Sequence, residues 1–451
     1  MHACSGRGRT PFLSWNIERY EDMKRLELFR KRLYQRAKEN SRRKFYSLHD
    51  KLCRLDILEE AWKNVSANNG TAGVDGQTIE DINAYGTERF ISELQQELIS
   101  GTYEVGDVKR VFIPKSNGKE RALGIPTVKD RIVQQAVKLV IEPIFEADFK
   151  DFSYGYRQGR SAKQASEYIR KCLDYGLTNV ISIDISGFFD HVNHEKLMFF
   201  VSKRIADPYI LKLIREWLRA GVVFDGRKEY PEEGTPQGGV ISPLLSNIYL
   251  NELDSIWVRK GMDQREGNNA HIIRYADDII VLTDRKTAYA MSVLRRIVSV
   301  LDLELNEDKS VTTTAQSGFD FLGFHFIRKI SNYWNREVTY IYPTRNSVER
   351  FREKVAATVP KNLAHFKGMD VAVRQLNSLI RGWYNYYKHT NASQIFKRLQ
   401  KYIEWKVVRY YCHIHKIRNV FMGKDMYRKI SGYGLMSLNG RIIHTQYSVL
   451  P

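Results

Sequence analysis

The sequence predicts an α+β chain with a mostly antiparallel sheet, followed by a basic helical region. Apolar runs at Val108–Pro114, Val180–Ile185 and Ile272–Leu282, the last broken at its centre, have the length of strands. They alternate with helical periodicities at Arg131–Phe145, Lys163–Tyr175 and Leu211–Ala220. Past about Tyr340 the strand pattern gives way to basic, aromatic-rich helices. A chain of 451 residues has room for several such units and a sizeable core.

Taken in order, residues 18–46 place Leu26, Phe29, Leu33 and Ala37 on one face among many cations. This spacing predicts an amphipathic helix within a basic N-terminal helical extension, residues 1–55. A helical pattern at Asp56–Val65 runs into the glycine-rich loop Asn68–Gly76, a point of punctuation. Residues 56–340 hold the strands. Residues 341–451 hold the basic helices Gln375–His389 and Gln394–Tyr411, whose aromatic side chains are expected mostly in their core.

Charge follows the same division. The chain carries +19, distributed as +9 over residues 1–55, −5 over residues 56–340 and +15 over residues 341–451. Basic flanks around an acidic middle suggest a polyanion held at both ends while carboxylates act between them. No apolar stretch approaches the roughly 18 residues of a membrane span, and Met1–Arg7 lacks a signal-peptide core. Cys4, Cys53, Cys172 and Cys412 form no C-x-x-C pair, which argues against a disulfide framework or zinc ribbon. A cytoplasmic protein with no membrane partner is expected.

The carboxylates carry the chemistry. Asp277 and Asp278 interrupt the run Ile272–Leu282, which reads as a tight hairpin with two acids at its tip. Adjacent buried carboxylates repel and lose hydration, and a hard divalent cation relieves both costs. Asp184 ends the run Ile181-Ser182-Ile183 and supplies a third acid. Brought beside Asp277, it would complete a two-metal site that activates a 3′-hydroxyl and steadies a triphosphate leaving group. Between them, Gly234-Thr235-Pro236-Gln237-Gly238-Gly239 permits close backbone approach to a ligand. Upstream, Ile113–Pro126 reads as a hairpin whose Lys115 and Arg121 could clamp a triphosphate.

In this order and spacing the blocks resemble the reverse transcriptases, or maturases, encoded by bacterial group II introns. The resemblance runs from Asn69 to Tyr411. It also rests on Phe152-Ser153-Tyr154-Gly155-Tyr156-Arg157, Leu305-Asn306-Glu307-Asp308-Lys309-Ser310, Phe321-Leu322-Gly323-Phe324 and Leu379-Ile380-Arg381-Gly382-Trp383-Tyr384. It implies a right-hand polymerase of fingers and palm over residues 56–340, then a helical thumb and maturase domain over residues 341–451. It implies catalysis by Asp184, Asp277 and Asp278, with metal held at Asp184, Ile185, Asp277 and Asp278. The expected cofactor is a pair of Mg²⁺ ions, with Mn²⁺ as a possible substitute. Lys115, Arg121, Phe189, Gln237 and Gly238 would form the nucleotide pocket, Phe189 as the gate against a ribose 2′-hydroxyl. Arg157, Arg381, Lys388, Lys397 and Arg398 would contact template or intron RNA.

The function implied is RNA-directed DNA synthesis by a protein that binds its intron RNA, assists its splicing and copies it into a DNA target from dNTPs. Two alternatives stay open: a free-standing reverse transcriptase in defence or repair, and an RNA-binding splicing factor with an inactive polymerase. The relatives' HNH endonuclease is expected to be absent, and the oligomeric state is open.

Overall fold

The computed structural model describes residues 11–114, 118, 120–235, 237–264, 266–360, 368–417, 426, 430 and 432–438, with side chains from residue 24 onward. Helices form at Leu55–Ala67, Val128–Glu146, Ala162–Asp174 and Pro208–Arg219. Each starts slightly before its periodic pattern. For the last three the cap lies upstream of the first apolar residue: Thr127, Ser161 and Asp207 accept amide protons from the first turns.

The N-terminal helix spans Pro11–Glu39 and buries Leu26, Leu33 and Ala37 against Val128–Glu146. It begins before the predicted 18–46 and ends seven residues short of it. Arg204 donates to the carbonyls of Ala37 (2.8 Å) and Asn40 (3.0 Å), terminating the helix from another part of the chain. Phe45 then pairs with residues 204–206 through two backbone bonds. No helix among the described residues is long and apolar enough to cross a membrane.

Eleven strands lie among the described residues: β1 Val108–Pro114, β2 Glu120–Ile125, β3 Asn179–Ile183, β4 Val222–Phe224, β5 Arg227–Glu229, β6 Ala270–Tyr275, β7 Asp278–Thr283, β8 Val311–Thr314, β9 Phe319–Phe321, β10 Phe324–Ile330 and β11 Glu337–Pro343. They make three sheets, ordered β2-β1-β4-β5, β6-β7-β3-β8 and β11-β10-β9. All pairs are antiparallel except β1 with β4.

At β7 the sheet β6-β7-β3-β8 is covered on both faces, which explains that strand's unbroken apolar run Ile279–Leu282. Ile181, Ile183, Ile272, Ile279 and Val281 enter one core with Val133 and Val137. The alternate residues Val180, Ile273, Ile280 and Leu282 enter a second core. That second core also takes Phe324 and Phe326 of β10, Leu376 and Ile380 of helix Met369–Tyr387, and Phe396 and Ile403 of helix Ser393–Ile414. A division at residues 340/341 therefore cuts β11, and the two sides share one core.

Candidate active site

β3 and β7 are antiparallel neighbours whose last pair is Ile183 with Ile279. The next step in this register sets Asp184 against Asp278. β6 and β7 pair up to Tyr275 with Asp278, leaving Ala276 and Asp277 as a two-residue turn, with Ala276 left-handed at φ 57°.

That turn is held from below. Arg274 and Asp254 are fully buried and form a bidentate pair at 2.7–3.1 Å. The remaining guanidinium nitrogen donates to the Ala276 carbonyl (3.1 Å) and to Asn247 Oδ1 (2.9 Å). Asn247 Nδ2 in turn donates to the Gly155 carbonyl at 2.8 Å. Residues 152–155 are stitched to β6 by Arg274 N–H to Phe152 C=O and Tyr154 N–H to Arg274 C=O. A β-carbon on Gly155 would come within 2.3 Å of the Ala276 nitrogen, so only glycine fits there.

The three acids feel one another. Asp278 is pushed up to about 6, first by loss of hydration in the concave site although its surface is reachable, then by the charges of Asp277 and Asp184. Asp277 is also raised, mainly by burial, against the turn's own amide and Arg121. Lys309 Nζ lies 2.9 Å from Asp184 Oδ2, so an ammonium already neutralises one acid. Asp184 is anchored through its backbone to Asn306 (2.8 Å) and Ser310 Oγ (3.3 Å). Ile185 faces Leu305 between two flanking backbone bonds, Asn306 to Asp184 and Ser186 to Glu304. In that pattern its own carbonyl points away from Leu305.

Hard oxygen donors, mutual repulsion and a cation already drawn to Asp184 fit a divalent metal. Among the described residues, no three Asp, Glu, His or Cys side chains close into an ion-sized cluster, so an ion would have to draw these acids together.

A polar chain connects the fingers hairpin to this site. Arg121 Nε donates to Gln237 Oε1 at 2.7 Å, and Gln237 Nε2 donates to Asp190 Oδ1 at 3.2 Å. Gly238 (φ 123°) lets its loop approach β2, where a β-carbon would lie 2.4 Å from the Gly124 carbonyl. Phe189, in the short turn Phe188–Asp190, is buried edge-on against Phe188 with centroids 5.3 Å apart. Arg121, Gln237 and Gly238 are thus brought together, with Phe189 next in the chain to Asp190, which Gln237 contacts. Lys115 lies outside the described residues.

Arg157 requires a correction. It is buried, with its guanidinium spent on Glu146 (2.6–3.1 Å) and the carbonyls of Lys150 and Ser153 (both 2.6 Å). Those contacts shape the loop before Gly155 and engage its guanidinium nitrogens within the protein. Arg381, Lys397 and Arg398 are exposed, and Lys388 is half-buried, bonded to Asn385 Oδ1 at 3.2 Å. Most of the helical aromatics are core, including Tyr384, Tyr387, Phe396 and Tyr410, whereas Tyr386 and Trp405 are exposed.

Reading the sequence missed Asp190, Asn247, Asp254, Arg274 and Lys309. Arg274 did carry a signal, as a cation inside an otherwise apolar strand. The others resemble ordinary surface residues until the chain folds.

Residues 113–326 match the family "Reverse transcriptase (RNA-dependent DNA polymerase)", and residues 348–429 match "Group II intron, maturase-specific domain". The chain belongs to the group II intron-encoded reverse transcriptases and maturases, and so joins an RNA-directed DNA polymerase to a maturase domain. It is 38% identical to Protein YkfC of Escherichia coli over 324 residues, covering 63% of this chain and 84% of that protein. It is 37% identical to Group II intron-encoded protein LtrA of Lactococcus lactis over 226 residues, 49% of this chain and 37% of that one. The Putative COX1/OXI3 intron 2 protein of Saccharomyces cerevisiae is 26% identical over 346 residues, 63% of this chain and 40% of that protein. Reverse transcriptases of this family generally use divalent metal ions.

Proposed function

We propose that the chain copies RNA into DNA at the Asp184–Asp277–Asp278 site while its basic regions hold the group II intron RNA. The strand register from Ile183–Ile279 toward Asp184 and Asp278 supports this reading, because it brings acids of distant segments toward one end of the sheet, near the turn whose Asp190 accepts from Gln237.

Asp184, Asp277, Asp278 and the Ile185 carbonyl would hold two Mg²⁺ ions, or Mn²⁺ in their place. Bound there, the ions would lower the pKa of a primer 3′-hydroxyl and neutralise charge on the departing pyrophosphate. Arg121 would exchange its bond to Gln237 for the incoming triphosphate, joined by Lys115. Gln237 and Gly238 would shape the nucleotide pocket. Phe189 would close the space a 2′-hydroxyl needs and so favour dNTPs. Arg381, Lys388, Lys397 and Arg398 would meet RNA phosphates. Splicing help would follow from binding folded intron RNA better than unfolded RNA, and copying at a DNA target would follow splicing.

Primer extension on an RNA template with Mg²⁺ and dNTPs tests this. Asp277→Ala with Asp278→Ala should lower extension by roughly 1,000-fold or more, the scale of losing groups that act in the transition state. RNA affinity should stay within about twofold, since removing anions does not weaken attraction to a polyanion. A folded, RNA-binding wild type that extends nothing would overturn the polymerase reading and favour a splicing factor with an inactive site.

A further inference from the structure

The β10–β11 hairpin ends in a built tip that the polymerase chemistry does not use. Ser331 is buried there, and its hydroxyl accepts the amide protons of Tyr333 (3.3 Å) and Trp334 (3.4 Å). Its own N–H donates to the Arg336 carbonyl, and Asn335 N–H donates back to the Ser331 carbonyl, both at 2.9 Å. Asn335 is left-handed at φ 47°, which closes the turn.

This framework holds two large rings in solvent: Tyr333 is 84% exposed and Trp334 62%. They meet edge to face, with centroids 4.8 Å apart at 84°, so flat ring surface stays open. Leaving such apolar surface wet forgoes the stabilisation its burial would give, so a hydrogen-bonded turn that displays it points to a ligand.

Charge indicates which ligand. The Arg336 guanidinium lies 5.7 Å from the Trp334 ring. On the hairpin face turned away from the core, Lys329 Nζ lies over Tyr340 (5.2 Å) and Tyr342 (5.9 Å), whose rings stack nearly parallel. The acid at the strand start, Glu337, is paired with Arg328 at 2.9 Å. Two rings are also far less surface than the roughly 800 Å² that each partner gives to a standard protein interface.

We propose that this tip stacks unpaired bases of an RNA strand, with Lys329 and Arg336 holding its phosphates. The proposal rests on the reading that the chain carries RNA. Unpaired bases, unlike those of a duplex, offer their faces to aromatic side chains.

The test uses the full chain, with fluorescence anisotropy of a labelled single-stranded RNA of about 12 nucleotides and a blunt RNA duplex of the same length. Tyr333→Ala with Trp334→Ala should weaken single-strand binding roughly tenfold, and duplex binding by less than about twofold. Tyr333→Phe with Trp334→Phe should keep most of the single-strand affinity, because the ring faces remain. Unchanged single-strand binding in the alanine variant overturns the proposal, as does an equal loss for both RNAs. Unchanged RNA binding with a fall in sedimentation mass would assign the rings to a second copy, which also overturns it. If the wild type extends no primer yet the alanine variant still loses single-strand binding, the polymerase reading fails and the stacking surface stands.

Discussion

Two hairpins of this protein solve opposite problems. The β6–β7 hairpin is buried on both faces, and its two-residue turn is braced from within by Arg274, Asp254 and Asn247. The β10–β11 hairpin is buried on one face, and its longer tip is braced by one serine while its rings face water. The first places charge where water is scarce, so every supporting polar group needs a partner. The second sits where water substitutes for a missing partner, so few internal bonds suffice. The contrast teaches that the interior network fixes the turn that carries Asp277 and Asp278, whereas the exposed tip is free to meet a ligand.

The sharpest way to break the contrast is Arg274→Met, which leaves Asp254 buried and unpaired. Thermal or denaturant unfolding should show a loss of about 3–5 kcal/mol. Adding Asp254→Leu should recover much of that stability. Extension should nevertheless stay low, because the Ala276 carbonyl and Asn247 have lost their donor. Full recovery of extension would show that the pair matters for packing alone.

A smaller effect sits at the root of the second hairpin. His389 packs against Phe324 with centroids 5.3 Å apart and bonds Ser166 Oγ at 3.0 Å, while its Nδ1 finds no partner among the described residues. Burial, then Lys163, Arg170 and Lys388, lower it from 6.5 to about 4. Between those values the unfolded chain binds the proton more readily than the folded one. Stability should therefore be complete above pH 6.5 and fall as the pH drops toward 4, by at most about 3 kcal/mol. Comparing wild type with His389→Phe across that window measures it; identical slopes would refute the assignment.

The smallest effect belongs to the tip. Ser331→Ala removes two long hydrogen bonds in a wet turn and should cost about 1 kcal/mol by the same unfolding assay. A loss as large as that of Arg274→Met would erase the distinction between the hairpins.

What could be read from the sequence follows the same division between local and distant causes. The acid pair in Ile272–Leu282 was legible because an apolar run broken by two residues can hardly be anything but a tight hairpin. Asp254 and Arg274 were not, since nothing local says that two charges on a helix and a strand meet in the core. Arg157 misled for the same reason: its partner Glu146 ends a different element. The N-terminal helix was extended too far because its end is set by Arg204 rather than by a local glycine or proline.

The second core has a consequence for modularity. Val180, Ile273 and Leu282 of the catalytic sheet pack in the same cluster as Leu376, Phe396 and Ile403 of the C-terminal helices. A recombination event that exchanged the helical region alone would have to match those side chains in shape, or else leave the catalytic sheet half uncovered. The polymerase and its maturase domain are therefore tied as one inheritable unit, and neither can be exchanged without repacking the core they share.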